Sequence, residues 1–468
     1  MSQPGSSDQP LRVAIIGSGP AGFYTVSNFF KQKNIHVQLD MFDRLPTPFG
    51  LVRAGVAPDH QKYKTVTKAY DKSAEDERFR FYGNVEYGKH LSLEDLKRFY
   101  HQIIFTTGAS GDRSLGVPGE TLTGSHSATD FVAWYNGHPD YVDYDFDLSQ
   151  ESVAVVGLGN VALDVARLLS KTRTELLQTD MADYAIDALS QSKVKHIYIL
   201  GRRGPAQAAF TPPEIRELGE LEDADITVLP EEAQLDALSL AEMETGEDKN
   251  VRKNVETIQD FAGRQGGEKS RQITIRFLVS PTALIDDGSG RVKAIKIVKN
   301  EAVQGEDGSV RARATDQQEE IPVGLVFRSV GYKGKPLPDV PFNDKWGTIA
   351  NSHGRVIADD GEPVPGLYTA GWIKRGPTGV IGTNKTCAQE TVACMVEDLQ
   401  KGVFIVPQSP DAESARAFIM QQQPDAVSYA DWVRLDASEV SKGEASGRPR
   451  VKYTSVKSML DYLKGASG

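Results

Sequence analysis

In the stretch RVAIIGSGPAG, residues 12–22, Gly17, Gly19 and Gly22 stand between a short apolar run and the helical pattern AGFYTVSNFFKQ. Strand, glycine turn and helix in that order leave few folds open. The first glycine permits a tight turn, the second lets main chain approach a pyrophosphate, and the third lets helix and strand pack closely. Free N–H groups and the positive dipole end of the helix favour an anion at that turn. HVQLDMF at 36–42 reads as the next strand and completes a βαβ unit.

The arrangement recurs from residue 152 in SVAVVGLGNVALDVARLLS, where Gly157, Gly159 and Ala162 form the variant with alanine in third place. HIYIL at 196–200 is the following strand, after a helical insertion near 171–190. With 468 residues and 39% hydrophobic content, the chain has material for roughly two to four domain cores. Two such units imply two nucleotides on an α/β fold of two Rossmann-like dinucleotide-binding domains, each three-layered. Residues 271–330 change texture: RQITIRFLVS, RVKAIKIVKN and EEIPVGLVFRSVG, separated by DDGSG and GEDGS, read as antiparallel strands appended to the second unit. A helix is expected over 384–400, then a polar connector, PQSPDAESAR, and a C-terminal tail.

What each unit holds is read at the end of its second strand. Asp43, 21 residues beyond Gly22, stands where an acid accepts hydrogen bonds from a ribose diol and repels a 2′-phosphate. The first unit is therefore expected to hold FAD or NAD and to exclude NADP. The second strand of the second unit ends in GRRGP, and Arg202 and Arg203 there can grip the 2′-phosphate that distinguishes NADP from NAD. One acid-marked and one arginine-marked site describe FAD beside NADPH, an electron path from nicotinamide to flavin.

Charge and composition narrow the class. Against 53 Lys and Arg there are 64 Asp and Glu, a net charge of −11, which disfavours nonspecific nucleic-acid binding. No apolar run reaches the roughly 18–20 residues of a membrane span, and MSQPGSSDQP has no apolar export signal. Cys387 and Cys394, the only cysteines, fall seven residues apart on a helical pattern, roughly 10 Å and too far for a disulfide. Two buried thiols in a reducing compartment are expected, and no redox disulfide relay. The location implied is cytoplasmic, or the mitochondrial matrix if a presequence has been removed.

With these residues in view, the chain resembles the adrenodoxin-reductase-type ferredoxin–NADP⁺ reductases, in particular their actinobacterial branch. The likeness runs along nearly the whole chain, through GSGPAGFY, PTPFGLVRAGVAPDH, FYGNVEYG, WYNGHPD, GNVALDVAR, GRRGPAQAAFT, GYKGKP, AGWIKRGPTGVIGTNK and SGRPRVK. FGLVRAGVAPDH and GWIKRGPTGVIG are much narrower signals than the glycine pattern. Asp43 stands where mitochondrial members have glutamate, and Gly382 where they have threonine.

The resemblance implies hydride transfer from NADPH to FAD, then single-electron transfer to a ferredoxin-type iron–sulfur protein. It implies that Ala21, Asp43, Leu51 and Val85 touch FAD, with Trp372, Gly379, Val380 and Ile381 beside the flavin ring. The positive end of the helix beginning near Thr383 could stabilise negative charge on reduced flavin. Gly159, Asn160, Val161, Arg202, Arg203 and Glu214 would contact NADP, with Gly379 shared by nicotinamide and flavin. Glu214, at a predicted helix N-terminus, also has a plain structural reading, since acids are favoured there without any ligand. His60, in VAPDH, is expected near the redox centre in a positioning rather than an obligatory catalytic role.

The domains expected are 1–110 and 331–468 for FAD, the second part including the C-terminal tail, with 111–330 inserted between them for NADP. The partner is expected to dock on a local basic patch, either Lys249, Arg252 and Lys253 or Lys442, Arg448, Arg450 and Lys452, each otherwise a solvated face. A monomer or weak dimer is expected, with no nucleic-acid or membrane partner. Rival readings are the electron-input flavoprotein of a larger complex, such as a glutamate-synthase small subunit, which would carry cysteine-rich cluster-binding segments, and a flavin monooxygenase, which would need an organic substrate. A dinucleotide-dependent sensor is the non-enzymatic rival, and its bound flavin would not bleach with NADPH.

Overall fold

The strand Leu11–Ile16 is wholly buried, and its alternating side chains serve two cores. Leu11, Val13 and Ile15 pack with Phe23, Val26 and Phe29 of the following helix and with Val392 and Met395 of the helix Thr383–Gln400. Ala14 and Ile16 pack on the opposite side with Leu93, Leu96, Ala415 and Ile419. A strand with an apolar core on each face must lie between two covering layers.

This computed structural model describes residues 4–465. The chain divides into two compact units, one made of the residues up to Gly111 together with those from Gly331, the other Asp112–Val330.

In the first unit the strands Pro363–Thr369, Gln102–Phe105, Leu11–Ile16, Val37–Phe42 and Phe79–Tyr82 pair in parallel in that order. Asn351–Ser352 and Arg355–Ile357 extend the sheet antiparallel beyond Pro363–Thr369. A buried ion-pair ladder crosses three of these strands. Asp40, fully buried, accepts from Arg12 at 2.6 Å, Arg80 at 2.8 Å and the Tyr100 hydroxyl at 2.6 Å. A buried carboxylate is tolerable when such donors fill its lone pairs.

The second unit has six parallel strands in the order Ser125–Ser127, Leu325–Arg328, Ser152–Val156, His196–Leu200, Arg271–Arg276, Ala224–Val228. Helices cover one face, where Val153, Val155, Ile197 and Ile199 meet Leu163, Ala166 and Phe131. On the other face Ala154, Val156, Leu200 and Val326 meet Val279, Val292, Ile295 and Ile321 of a three-stranded antiparallel sheet. That sheet comprises Val279–Asp286, Val292–Gln304 and Val310–Pro322.

Two expectations are corrected here. Of the strands expected to be antiparallel, Arg271–Arg276 and Leu325–Arg328 are parallel members of the main sheet. A short apolar run carries no direction; the helix Lys249–Ala262 returns the chain between Ala224–Val228 and Arg271–Arg276, and the three-stranded sheet from Val279 to Pro322 returns it before Leu325–Arg328. The presumed connector and tail are also largely helical: Asp411 caps Ala412–Gln422, Ser428 caps Tyr429–Glu444, and Val456–Leu463 follows. The Asp411 and Ser428 side chains accept helix N–H groups, a role that composition alone does not separate from a loop.

His101 supplies a pH dependence. Its Nδ1 accepts the Arg12 main-chain N–H at 3.0 Å, which requires a neutral ring at that nitrogen. Burial, and then the charge of Arg12, lower the imidazole to about 4. An unfolded histidine titrates near 6.5, so the unfolded chain takes up the proton first. The stabilisation is complete above roughly pH 6.5 and is lost as pH falls toward 4, by at most about 1.4 kcal/mol per pH unit. Urea unfolding at pH 7, 6 and 5 is expected to show this decline, and a His101→Gln variant to lack that part of it; parallel slopes would refute the assignment.

Candidate functional site

Gly17 has a φ of +105°, and a Cβ there would lie 2.7 Å from the Thr106 carbonyl oxygen. A Cβ on Gly22 would lie 2.5 Å from the Gly17 oxygen, so the fold itself requires both glycines. Gly19 is different. Its φ of −77° and ψ of −175° suit any residue, and a Cβ added there meets no protein atom within 4 Å. The second unit repeats the contrast: Gly157, at φ +145°, would place a Cβ 2.2 Å from the Ser329 oxygen, whereas Gly159, at φ −105° and ψ 171°, faces open space. Ala162 occupies the third position fully buried. Each turn thus keeps a cradle clear that a Cβ would fill, at the start of a helix, which fits a pyrophosphate.

Around the first cradle, distant segments converge. Asp43 follows the strand Val37–Phe42, and its carboxylate accepts from the Ser18 N–H at 3.0 Å, the Ser18 hydroxyl at 2.5 Å and the Leu45 N–H at 3.0 Å. The Val85 N–H donates to the Asp43 carbonyl at 2.9 Å, and Val85 is buried. The Cα of Gly19 lies 3.2 Å from where a Gly50 Cβ would be, which brings the half-exposed Leu51 beside the cradle. Gly371, at φ +80°, backs onto Ala21, whose Cβ would be 2.6 Å from any Cβ placed on it. From there Trp372 donates to the Thr378 carbonyl at 3.2 Å, and Arg375 donates to the same carbonyl and to Asn384. These bonds hold the loop that carries Gly379, exposed Val380 and Ile381 into the helix Thr383–Gln400. His60 starts the short helix Gln61–Lys64, half-buried, its ring 5.4 Å from Tyr63.

The loop over Gly19 is held under strain. Phe49 adopts a φ of +83°, rare for a side-chain-bearing residue, and its N–H donates to the Ser18 carbonyl at 2.9 Å. Its ring packs on Phe23, Tyr70 and Trp432. Four residues on, Arg53 makes paired hydrogen bonds of 2.8 and 2.5 Å to Glu439, a wholly buried carboxylate that also accepts from Arg450 and the Tyr453 N–H. Burial alone pushes the Glu439 carboxyl up, but Arg53, Arg450 and the Tyr453 N–H outweigh it and hold it below the usual glutamate value.

In the second unit the Leu158 side chain lies under Gly201, and Gly157 donates to the Leu200 carbonyl at 2.9 Å, which joins the cradle to the GRRGP turn. Arg202 and Arg203 are exposed and form no ion pair among the described residues. The Asn160 side chain accepts the Thr211 N–H at 2.8 Å, tying half-buried Val161 and its turn to the helix Pro212–Leu218. On that helix Glu214 is buried and stands 3.5 Å from Arg167, whose guanidinium also meets Asp164 at 2.7 Å.

One expected docking patch is corrected. Arg448 and Lys452 are buried, and Arg450 pairs with Asp436 at 2.5 Å and Glu439 at 3.2 Å. The Lys452 ammonium donates to the Arg53 carbonyl, so these cations bind the C-terminal segment to the Phe49–Arg53 loop instead of facing a partner. Only Lys442 is exposed, over the Tyr453 ring. Of the two thiols, Cys387 is buried and Cys394 only half-buried, because its side chain reaches the His353 carbonyl near the surface. Sequence reasoning missed Ser18, Thr106, Arg53 and Glu439. Ser18 lies inside the glycine pattern and was legible there; the others act through segments remote in sequence.

Two glycine cradles, each closing a parallel α/β sheet, define a two-nucleotide oxidoreductase. Residues 11–233 match the pyridine nucleotide-disulphide oxidoreductase family. The chain is 43% identical to NADPH-ferredoxin reductase FprA of Mycobacterium leprae over 96% of its own length and 97% of that protein. It is 37% identical to the mitochondrial NADPH:adrenodoxin oxidoreductase of Arabidopsis thaliana, over 97% and 96% respectively. The solved structure of Mycobacterium tuberculosis FprA in complex with NADPH superposes with a TM-score of 0.92 at 41% identity, covering 98% of this chain and all of that one. The chain belongs to the family of NADPH-dependent ferredoxin and adrenodoxin reductases. Among its described residues, no helix is long and apolar enough to cross a membrane.

The cradle glycines give a direct test. Gly19→Ala is expected to release flavin and Gly159→Ala to weaken NADPH binding, each with the urea midpoint of the ligand-free protein little changed. Gly17→Ala, in contrast, should lower that midpoint. Unaltered flavin content and NADPH affinity in the first two variants would remove the ligand explanation of these glycines.

Proposed function

We propose that the chain is an FAD-dependent NADPH–ferredoxin reductase, holding FAD on residues 1–110 with 331–468 and NADPH on 111–330. The observation that carries this reading is the contrast between the two second-strand ends: Asp43 at the first, and Arg202 and Arg203, exposed and without ion-pair partners among the described residues, at the second. FAD held there would supply the conversion of a hydride from NADPH into single electrons for an iron–sulfur acceptor, which nicotinamide alone cannot make.

The protein's own share is positioning. Ser18 and Leu45 orient Asp43, whose remaining lone pairs accept ribose hydroxyls. Gly17 and Gly22 let the turn close, Gly19 would admit the pyrophosphate, and Ala21, Leu51 and Val85 would cover the nucleotide. Trp372, Gly379, Val380 and Ile381 would flank the ring. On the second unit Gly157, Gly159, Asn160 and Val161 seat the other pyrophosphate, the two arginines take the 2′-phosphate, and Glu214, held by Arg167, orients nicotinamide ribose or amide. Hydride transfer needs no proton abstraction by protein, so His60 orients water or neighbouring groups.

A small acidic iron–sulfur protein is the acceptor, and the helix Lys249–Ala262 is its docking surface. Asn254, Val255, Ile258 and Phe261 bury one face of that helix, leaving Lys249, Arg252 and Lys253 exposed and unpaired in any described ion pair. The same reading takes the chain as a monomer or weak dimer of a reducing compartment such as the cytoplasm, which suits two free thiols.

Anaerobic reduction of bound flavin by NADPH, followed by ferredoxin-dependent cytochrome c reduction, is the primary test; flavin that does not bleach would refute the activity. Replacing Arg202 and Arg203 by alanine is expected to raise the Michaelis constant for NADPH far more than for NADH, and equal losses would exclude the 2′-phosphate contact. Charge reversal at Arg252 and Lys253 should raise the Michaelis constant for ferredoxin at low salt, where an unchanged value would move the docking surface elsewhere.

A further inference from the structure

The turn that presents Arg202 and Arg203 is held from beneath by a part of the unit that a nucleotide-binding sheet does not need. Three successive carbonyl oxygens are captured there. Val279 donates its N–H to the Gly201 carbonyl at 2.9 Å, the Asn300 side chain donates to that of Arg202 at 2.9 Å, and Leu278 donates its N–H to that of Arg203 at 3.2 Å. The Gly201 N–H in turn donates to the Arg276 carbonyl at 2.9 Å.

Leu278 and Asn300 also brace each other. Leu278 adopts a φ of +54°, a strained conformation for leucine, and its carbonyl accepts the Asn300 N–H at 2.6 Å. Asn300 sits where the pairing of Val292–Gln304 with Val310–Pro322 shifts register, between Val298 and Asn300. The irregularity turns an amide into the interior: Asn300 is 4% exposed, and its Nδ2 gives a second hydrogen bond of 2.8 Å to the Ser280 hydroxyl. Because the Arg202 oxygen can only accept, the amide orientation is determined, and both of its protons are used.

The side chains above this bracing are free in the opposite sense. Arg202 and Arg203 have exposed guanidinium groups with no ion pair among the described residues. Long cations on a mobile turn lose much of a phosphate contact to the cost of ordering, whereas cations on a braced turn do not. On the assignment of NADPH to this unit made above, we propose that Asn300 is a positioning residue for 2′-phosphate selectivity and that the antiparallel sheet is its scaffold. NADH has no 2′-phosphate and gains nothing from the brace.

The test uses the full-length, flavin-loaded protein and calorimetry with 2′,5′-ADP and with 5′-ADP, which lacks the 2′-phosphate. Asn300→Ala and Asn300→Leu, which is similar in size and removes the donor without adding a charge, are expected to weaken 2′,5′-ADP about tenfold, the loss of about one buried hydrogen bond. Binding of 5′-ADP should shift by less than about twofold, and the Michaelis constant for NADPH should rise more than that for NADH. Ser280→Ala, which leaves the link to Arg202 in place, should keep the wild-type preference. Equal weakening of both ligands would make Asn300 a merely structural residue, and unchanged 2′,5′-ADP binding would overturn the proposal outright. The pair Arg202→Ala and Arg203→Ala separates the two levels. If it leaves 2′,5′-ADP binding intact, the phosphate assignment fails and the role of Asn300 with it; if it weakens binding while the Asn300 variants do not, only the role of Asn300 fails. Asn300→Leu nearly keeps the side-chain volume and carries the test should alanine impair folding.

Discussion

At Gly17 an added Cβ would lie 2.7 Å from the Thr106 carbonyl oxygen, and at Gly157 2.2 Å from that of Ser329. These contacts set how closely the strand before each cradle passes its neighbour as it turns into its helix. If the turn were wider, Gly19 and Gly159 would not stand at the helix start with a face clear of protein, and the nucleotide sites would lose their floor. The two parallel sheets, with cores on both faces, serve largely to keep these turns at fixed positions.

A second layer of support comes from segments that return late in the chain. Glu439 neutralises Arg53 without solvent, and the loop between Phe49 and Arg53 is thereby held in a conformation costing about 1–3 kcal/mol of backbone strain. In the other unit, Leu278 and Asn300 do the equivalent for the arginine turn. Strain at both places sits beside a proposed nucleotide contact, where the surrounding packing determines geometry that the local chain would not choose.

Much of the fold was legible because its signals are local. The glycine patterns, the helix at Thr383–Gln400 and the βαβ order all follow from adjacent residues. Strand direction was not, and Arg271–Arg276 and Leu325–Arg328 went to the wrong sheet because an apolar run of four to six residues reads alike in either direction. The C-terminal basic residues were equally misleading: Arg450 and Lys452 look solvated in SGRPRVK, and only folding brings Asp436, Glu439 and the Arg53 carbonyl to them.

The sequence by itself determined the chemistry offered at each strand end, a carboxylate at Asp43 and two guanidinium groups at Arg202 and Arg203, because residue type and its offset from a glycine turn are both written in linear order. Only the tertiary structure decided how those groups are held: Ser18 on Asp43, Asn300 beneath Arg202, and Glu439 on a loop nearly four hundred residues earlier in the chain. Hydrogen bonds between distant segments depend on which faces the packed cores bring together, and that is a property of the whole fold rather than of any window along the chain.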